Sequence, residues 1–178
     1  MITGFYGQAQ TAYKNTISSS YFLYESSHYS GGDISAQGFD LGYSRYFKNR
    51  LYGDISYGMA NFEGRNSIFF LEPSEMDRFN MKIFTLGAGY DVLQTKRLIL
   101  SGELAYLRQT TQELISLMEL GGLTIRETGN IVDQTARVQL KAKIFITKNL
   151  QFVPAVAHGF QISRYKSNWL KAGLAYSF

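Results

Sequence analysis

The sequence predicts an all-β chain, eight antiparallel strands closed in up-and-down order into a barrel, with one domain over residues 1–178. Three observations carry this reading. The chain holds 13 Tyr, 13 Phe and 1 Trp, an aromatic fraction of 15%, against only 2 Pro, a bias toward pleated and partly buried surfaces. Apolar and polar residues alternate with period two in segment after segment. Short connections alternate with longer ones, which places all the tight turns at one end of the sheet. The length is enough for one sizeable core and too short for two.

Taken in order, Phe5–Tyr13 alternates weakly, with Gln8 and Gln10 on one side. In 38–47, Phe39, Leu41, Tyr43 and Phe47 oppose Gly38, Asp40, Gly42, Ser44 and Tyr46, and Arg45 interrupts the apolar set. Leu51–Met59 sets Leu51, Ile55, Tyr57 and Met59 against Tyr52, Asp54, Ser56 and Gly58. Phe84–Val92 sets Phe84, Leu86, Ala88, Tyr90 and Val92 against Thr85, Gly87, Gly89 and Asp91. Leu98, Leu100, Gly102, Leu104 and Tyr106 oppose Ile99, Ser101, Glu103 and Ala105. In Ala136–Ile146 the even positions are apolar and the odd ones are Arg137, Gln139, Lys141, Lys143 and Phe145. Phe152–Ile162 carries Pro154 and His158 on its apolar face, and Leu170–Phe178 is the cleanest segment, apolar at every second position.

Lys48-Asn49-Arg50, Gln94–Arg97 and Thr147-Lys148-Asn149 read as tight hairpin turns, while Lys14–Gly32 and Glu63–Asn80 read as long loops and Arg164–Asn168 as a brief one. Arg108–Asp133 has two readings, a short amphipathic helix or a hairpin prolonging the flanking strands. The Gly121-Gly122 pair favours the hairpin.

A helical membrane span is excluded, because it needs roughly 20 consecutive apolar residues and the longest run, Phe152-Val-Pro-Ala-Val-Ala157, is short and broken by Pro154. With no Cys there is neither a disulfide scaffold nor a thiolate metal site. No metal-ligand cluster or phosphate-binding glycine loop stands in the sequence, and no cofactor is expected. The net charge of +4 is spread between turns and strands, which does not make a nucleic-acid patch. Met1 runs into strand-like sequence without a signal peptide, so export implies a leader already removed.

Which face points inward decides the function. A soluble lipocalin-like carrier turns the apolar face in, and a transmembrane barrel turns it to lipid. The polar face here is mostly Gly, Ser, Ala and Thr with a few charges of both signs, which suits a narrow interior better than a water-facing surface. Tyr and Phe recur near strand ends, as in the girdles at membrane interfaces, and the tight turns carry Lys or Arg and no acid. The soluble reading also lacks the Gly-x-Trp usual near a lipocalin's first strand, since the sole Trp is Trp169.

The ending Leu170-Lys-Ala-Gly-Leu-Ala-Tyr-Ser-Phe178 resembles the C-terminal strand of bacterial outer-membrane β-barrels, and the whole chain resembles the small OmpA/OmpX-type barrels. The resemblance implies a Gram-negative outer-membrane location, periplasmic termini and turns, and four extracellular loops. It also implies recognition by the barrel-assembly machinery through Leu170, Leu174, Tyr176 and Phe178, with outer-membrane lipid and lipopolysaccharide as surroundings.

An eight-stranded interior holds only its own side chains. The expected lumen is therefore plugged, with a polar network among Asp40, Asp54, Glu103, Arg137, Lys141, Lys143 and Lys171. Tyr21, Phe22 and Tyr24, with Phe69 and Phe70, form apolar clusters in the first two predicted loops. They are either binding surfaces or strand continuations in the upper girdle. The role expected is structural, adhesive or that of a complex subunit, through loops or a free hairpin edge that recruits another envelope protein. The alternative is a lipid A-modifying acyltransferase or deacylase. Its candidate is His28, beside Ser and acid residues in Glu25–Ser30 and near Asp33. His158 has Phe160, not Ser, two residues on, unlike the outer-membrane deacylases, and no catalytic residue is assigned.

Overall fold

The computed structural model describes residues 14–28, 33–65, 80–120, 123–160 and 165–178. They form eight strands: β1 (Asn15–His28), β2 (Asp33–Tyr46), β3 (Leu51–Arg65), β4 (Met81–Gln94), β5 (Leu98–Leu120), β6 (Leu123–Phe145), β7 (Leu150–Gly159) and β8 (Tyr165–Ser177). Each strand pairs antiparallel with its neighbours in sequence, and β1 pairs with β8, so the barrel is closed. At the rim, Asn15 and Phe178 exchange backbone hydrogen bonds of 3.1 and 2.9 Å. Closure leaves no free edge along the wall, the condition for a sheet to sit in a solvent that cannot hydrogen-bond to it.

The three tight connections lie at the end of the barrel where Asn15 meets Phe178, here the turn end. Each is closed by a backbone bond: Phe47 N to Leu51 O (2.9 Å), Thr95 N to Leu98 O (2.8 Å) and Ile146 N to Leu150 O (2.9 Å). At the opposite, loop end, β5 and β6 run on as one ribbon, paired from Leu98↔Ile144 to Leu120↔Leu123. The Arg108–Asp133 stretch is thus the hairpin and not the helix.

Three expectations need correction. The predicted loop Lys14–Gly32 is largely β1, and the predicted first strand, Phe5–Tyr13, lies outside the described residues. The alternation of β1 is hidden because Tyr21-Phe22-Leu23-Tyr24 is bulky on both faces: Tyr21 and Leu23 point out, whereas Phe22 and Tyr24 fill the interior. Second, β8 begins at Tyr165, inside the predicted connection Arg164–Asn168. Third, the predicted loop Glu63–Asn80 begins as strand, since β3 runs on to Arg65. The apolar face is on the outside, as expected of a transmembrane barrel and opposite to a soluble carrier. Leu41 and Leu140 are each 66% exposed, in company with Ile55, Leu86, Leu104, Val156, Leu170 and Leu174. The inward positions hold Asp40, Asp91, Glu103, Arg137, Lys143 and Lys171, all buried.

Local irregularities have identifiable causes. Between Asp91↔Ser101 and Leu93↔Leu100 the register shifts, and this bulge lets Val92 and Leu93 both face outward. The β6–β7 ladder lacks pairs between Lys141↔Ala155 and Ile144↔Phe152, where Pro154 has no N–H to donate. Gly89 is needed inside because the Tyr52 ring lies where a Cβ would stand.

Candidate functional site: the barrel lumen

The interior is layered along the axis. Nearest the turn end, the Asp91 carboxylate gathers four donors. Tyr46 OH (2.8 Å) and Gln94 Nε2 (2.9 Å) donate to one oxygen, and Ser101 Oγ (2.7 Å) and Lys143 Nζ (3.1 Å) to the other. Lys143 also donates to Tyr46 OH at 2.5 Å and lies 4.3 Å from the centre of the Tyr52 ring. A buried carboxylate with this many charge-assisted and neutral donors is well compensated for its lost hydration.

In the next layer Lys141 Nζ stands 2.5 Å from Glu103 and 3.5 Å from Asp54, with Arg137 3.7 Å from Glu103 on the other side. Lys171 pairs with Asp40, which also accepts from Ser20 Oγ. That pairing spans β8 and β2 across β1, because Ser20 is the cross-strand partner of both Asp40 and Gly173. All seven sequence-predicted lumen residues therefore lie inside, in three groups and not one network: Lys143 on Asp91, Lys141 and Arg137 with Glu103 and Asp54, and Lys171 on Asp40. Asp91, Tyr46 and Tyr52 stand on the polar face in the sequence but outside the expected network, and the sequence reading does not place Trp169 in the lumen. Parity with Thr85, Gly87 and Gly89 places Asp91 inside, but its cation, Lys143, comes from β6, two strands away.

Beyond the charges, toward the loop end, lies an apolar layer of Phe22, Tyr24, Ala36, Ala60, Met81, Ile83, Leu107, Ala157 and Trp169. Trp169 packs on Phe22 and Tyr24 with ring centroids 5.2 and 4.6 Å away. Cations cap its lower surface: the Arg137 guanidinium is 5.7 Å from the Trp169 ring, and Lys171 is 5.6 Å from Phe22. Two cavities of about 140 and 60 Å³ lie among the charged residues, and neither is lined by a residue of the apolar layer. Beyond that layer the interior is polar again, with Trp169 Nε1 donating to Ser167 Oγ (3.0 Å) and Gln109 Nε2 to Thr111 Oγ1 (3.1 Å).

This arrangement, an eight-stranded antiparallel barrel with charges inside and apolar side chains outside, can be compared with known proteins. No protein-family model matches the sequence, and no curated protein does. Solved structures do match. Ail, the attachment invasion locus protein of Yersinia pestis, superposes with a TM-score of 0.64 at 14% identity, over 93% of this chain and 99% of that one. The fold is that of the small eight-stranded outer-membrane barrels. Neisserial surface protein A gives a TM-score of 0.55 at 18% identity, over 92% and 97% of the two chains. The outer-membrane protein OprG of Pseudomonas aeruginosa gives 0.53 at 10%, over 93% and 96%.

The remaining sequence candidates fall as follows. Tyr21, Phe22 and Tyr24 are not loop residues. Tyr21 is on the outer wall, its ring 5.1 Å from Phe39 and its hydroxyl donating to Gln37 Oε1 at 2.7 Å, while Phe22 and Tyr24 belong to the interior apolar layer. They continue a strand, and only Tyr21 faces outward. Phe69 and Phe70 lie outside the described residues. Leu170, Leu174 and Tyr176 of β8 and Phe178 just beyond its end form an exposed outward stripe. His28 is the last residue of β1, paired with Tyr165 in the ladder. His158 is on the outer wall, its Nδ1 2.9 Å from Asn168 Oδ1 and its ring against Phe160. Among the described residues no cluster of metal-ligating side chains occurs.

Proposed function

We propose that the chain is an integral protein of the bacterial outer membrane whose lumen does not conduct and whose work is done at the loop end. It serves there as an adhesive, structural or complex-subunit protein. The observation that carries the reading is the inverted distribution of side chains, with large apolar groups exposed on the outside and matched ion pairs inside. In water the outer wall is a penalty, and in a bilayer it is the required surface. Outer-membrane lipid and lipopolysaccharide are its natural surroundings. The apolar stripe ending at Phe178 fits recognition by the barrel-assembly machinery.

The plug is supported by the stacking of two unlike barriers. A hydrated ion leaving the charged layers meets a layer built mainly of the Phe22, Tyr24 and Trp169 rings with Met81, Ile83 and Leu107, which replaces little of its water. At the loop end, β5 pairs with β4 only as far as Thr111↔Met81, and β6 with β7 only as far as Arg137↔Gly159. Among the described residues the backbone ladders of 113–120 and 123–132 join these two segments to each other and to no third strand, which leaves an edge on each side. Such edges recruit an extended strand of another protein. Ail's own name, attachment invasion locus protein, is in keeping with an adhesive role for this fold.

The test has two arms. A photo-crosslinking residue at Asn130 or Val132 is expected to capture a protein partner in intact cells, with the same residue at Leu140 on the outer wall as the negative control. In planar bilayers the purified protein is expected to give no steady conductance. Lasting open channels, or equal capture from both positions, would overturn the reading.

A further inference from the structure

We propose that the outer wall at the β2–β3 turn is a binding site for an anionic glycerophospholipid of the leaflet that surrounds the turn end. This rests on the membrane reading above and adds a specific lipid class and site to it. The site is a groove lined by Phe47, Lys48, Asn49, Arg50 and Leu51 of the turn and Tyr90 of β4.

Its floor is apolar and continuous with the lipid-facing wall. Phe47, Leu51 and Tyr90 are all exposed outward, and Leu51 and Tyr90 are cross-strand partners. Phe47 lies back along the wall because the outward position beside it is Gly53: a Cβ there would come within 3.1 Å of the Phe47 ring. Arg45, which interrupted the apolar pattern of its strand in the sequence, is the exposed cross-strand partner of Gly53 and faces the same side. Lys48 and Arg50 line the groove beside this floor, and Lys48 also borders the cavity at the turn end of the lumen.

The turn that carries these cations is fixed from behind. Asp91 N–H donates to Arg50 O at 2.9 Å, and Gln94 Nε2 donates to Asn49 O at 3.0 Å. Asp91 and Gln94 are in turn held by the turn-end lumen cluster, so the groove is organised before any ligand arrives, which lowers the ordering cost of binding. Two cations beside an apolar floor, at the level where strands give way to turns, match an amphiphile with one phosphodiester and acyl chains. Charge selects the anionic class. The three tight turns, 47–50, 95–97 and 146–149, together hold five cations and no acid, so a lipid with net negative charge is favoured over a zwitterionic one.

The test uses the whole protein in a neutral detergent, offered equal amounts of phosphatidylglycerol and phosphatidylethanolamine and read by native mass spectrometry. Phosphatidylglycerol is expected to be retained about tenfold more, roughly a 1.4 kcal/mol preference. The Lys48→Gln/Arg50→Gln variant is expected to lose most of that excess, while Lys96→Gln/Arg97→Gln at the β4–β5 turn keeps it. Equal retention of the two lipids, or a preference that survives Lys48→Gln/Arg50→Gln, would overturn the proposal. So would lipid A displacing phosphatidylglycerol in a manner that depends on these two cations. Failure of the membrane reading would look different: the protein would remain monodisperse without detergent and carry neither lipid.

Discussion

Replacing Lys141 with Met keeps most of the side-chain volume and removes one charge from the middle of the lumen. Lys141 is 2.5 Å from Glu103 and 3.5 Å from Asp54, and its side chain is only 10% exposed. Two unit charges 4 Å apart interact by about 4 kcal/mol at an effective dielectric of about 20, and removing one partner of a buried pair costs about 3–5 kcal/mol. Glu103 keeps Arg137 at 3.7 Å and the Tyr52 hydroxyl at 3.5 Å, so part of its charge stays compensated. The expected loss is therefore near the lower bound, about 3 kcal/mol. With a urea slope of roughly 1–3 kcal/mol per molar, the unfolding midpoint moves down by about 1–3 M. Trp169 is the sole tryptophan and lies in the lumen, 3% exposed, so its fluorescence reports the transition without a label. Adding Asp54→Asn should recover part of the loss, since Asp54 faces Lys141 at 3.5 Å and the acid left by the first substitution is then neutral. An unchanged midpoint together with a raised bilayer conductance would refute the reasoning and make Lys141 part of a gate.

Phe22→Ala should destabilise by about 3–5 kcal/mol, as expected of a fully packed aromatic, whereas Tyr21→Ala on the outer wall should cost clearly less; similar small losses at both sites in urea unfolding would return residues 21–24 to a loop. Gly89→Ala pushes a methyl group into the Tyr52 ring and should cost about 1–3 kcal/mol, with recovery when Tyr52→Leu is added, a double-mutant cycle read in the same assay. Lipid A from cells with and without the protein should have the same acyl composition by mass spectrometry, and a reproducible loss or gain of one acyl chain would establish the enzymatic alternative instead.

The parts of the fold legible in the sequence are those where one solvent dictates one face. Leu170–Phe178 and Ala136–Ile146 read cleanly because every second side chain lies on the apolar outer wall and the others face the lumen. β1 was illegible because the lumen at its level is not polar: Phe22 and Tyr24 pack on Trp169, and a strand apolar on both faces has no period to detect. The lumen residues could be named from parity, but their partners could not. Lys171 reaches Asp40 across an intervening strand, and Lys141 reaches Asp54 across the lumen from β6 to β3. Both depend on barrel closure and register, which no local pattern encodes. The Gly121-Gly122 turn marked the hairpin, yet its rise beyond β4 and β7 follows from where those neighbours stop. Arg45 looked like noise in an apolar series and is explained by its height on the wall, close to the turn end.

The account stands on the claim that the apolar wall faces lipid. The chain has no cysteine, so a single nitroxide label at Leu140→Cys reports that wall alone in the reconstituted protein. Collision with dissolved oxygen should be frequent and collision with a water-soluble nickel chelate rare, as for a group inside hydrocarbon. Easy access of the nickel chelate at this position would contradict it.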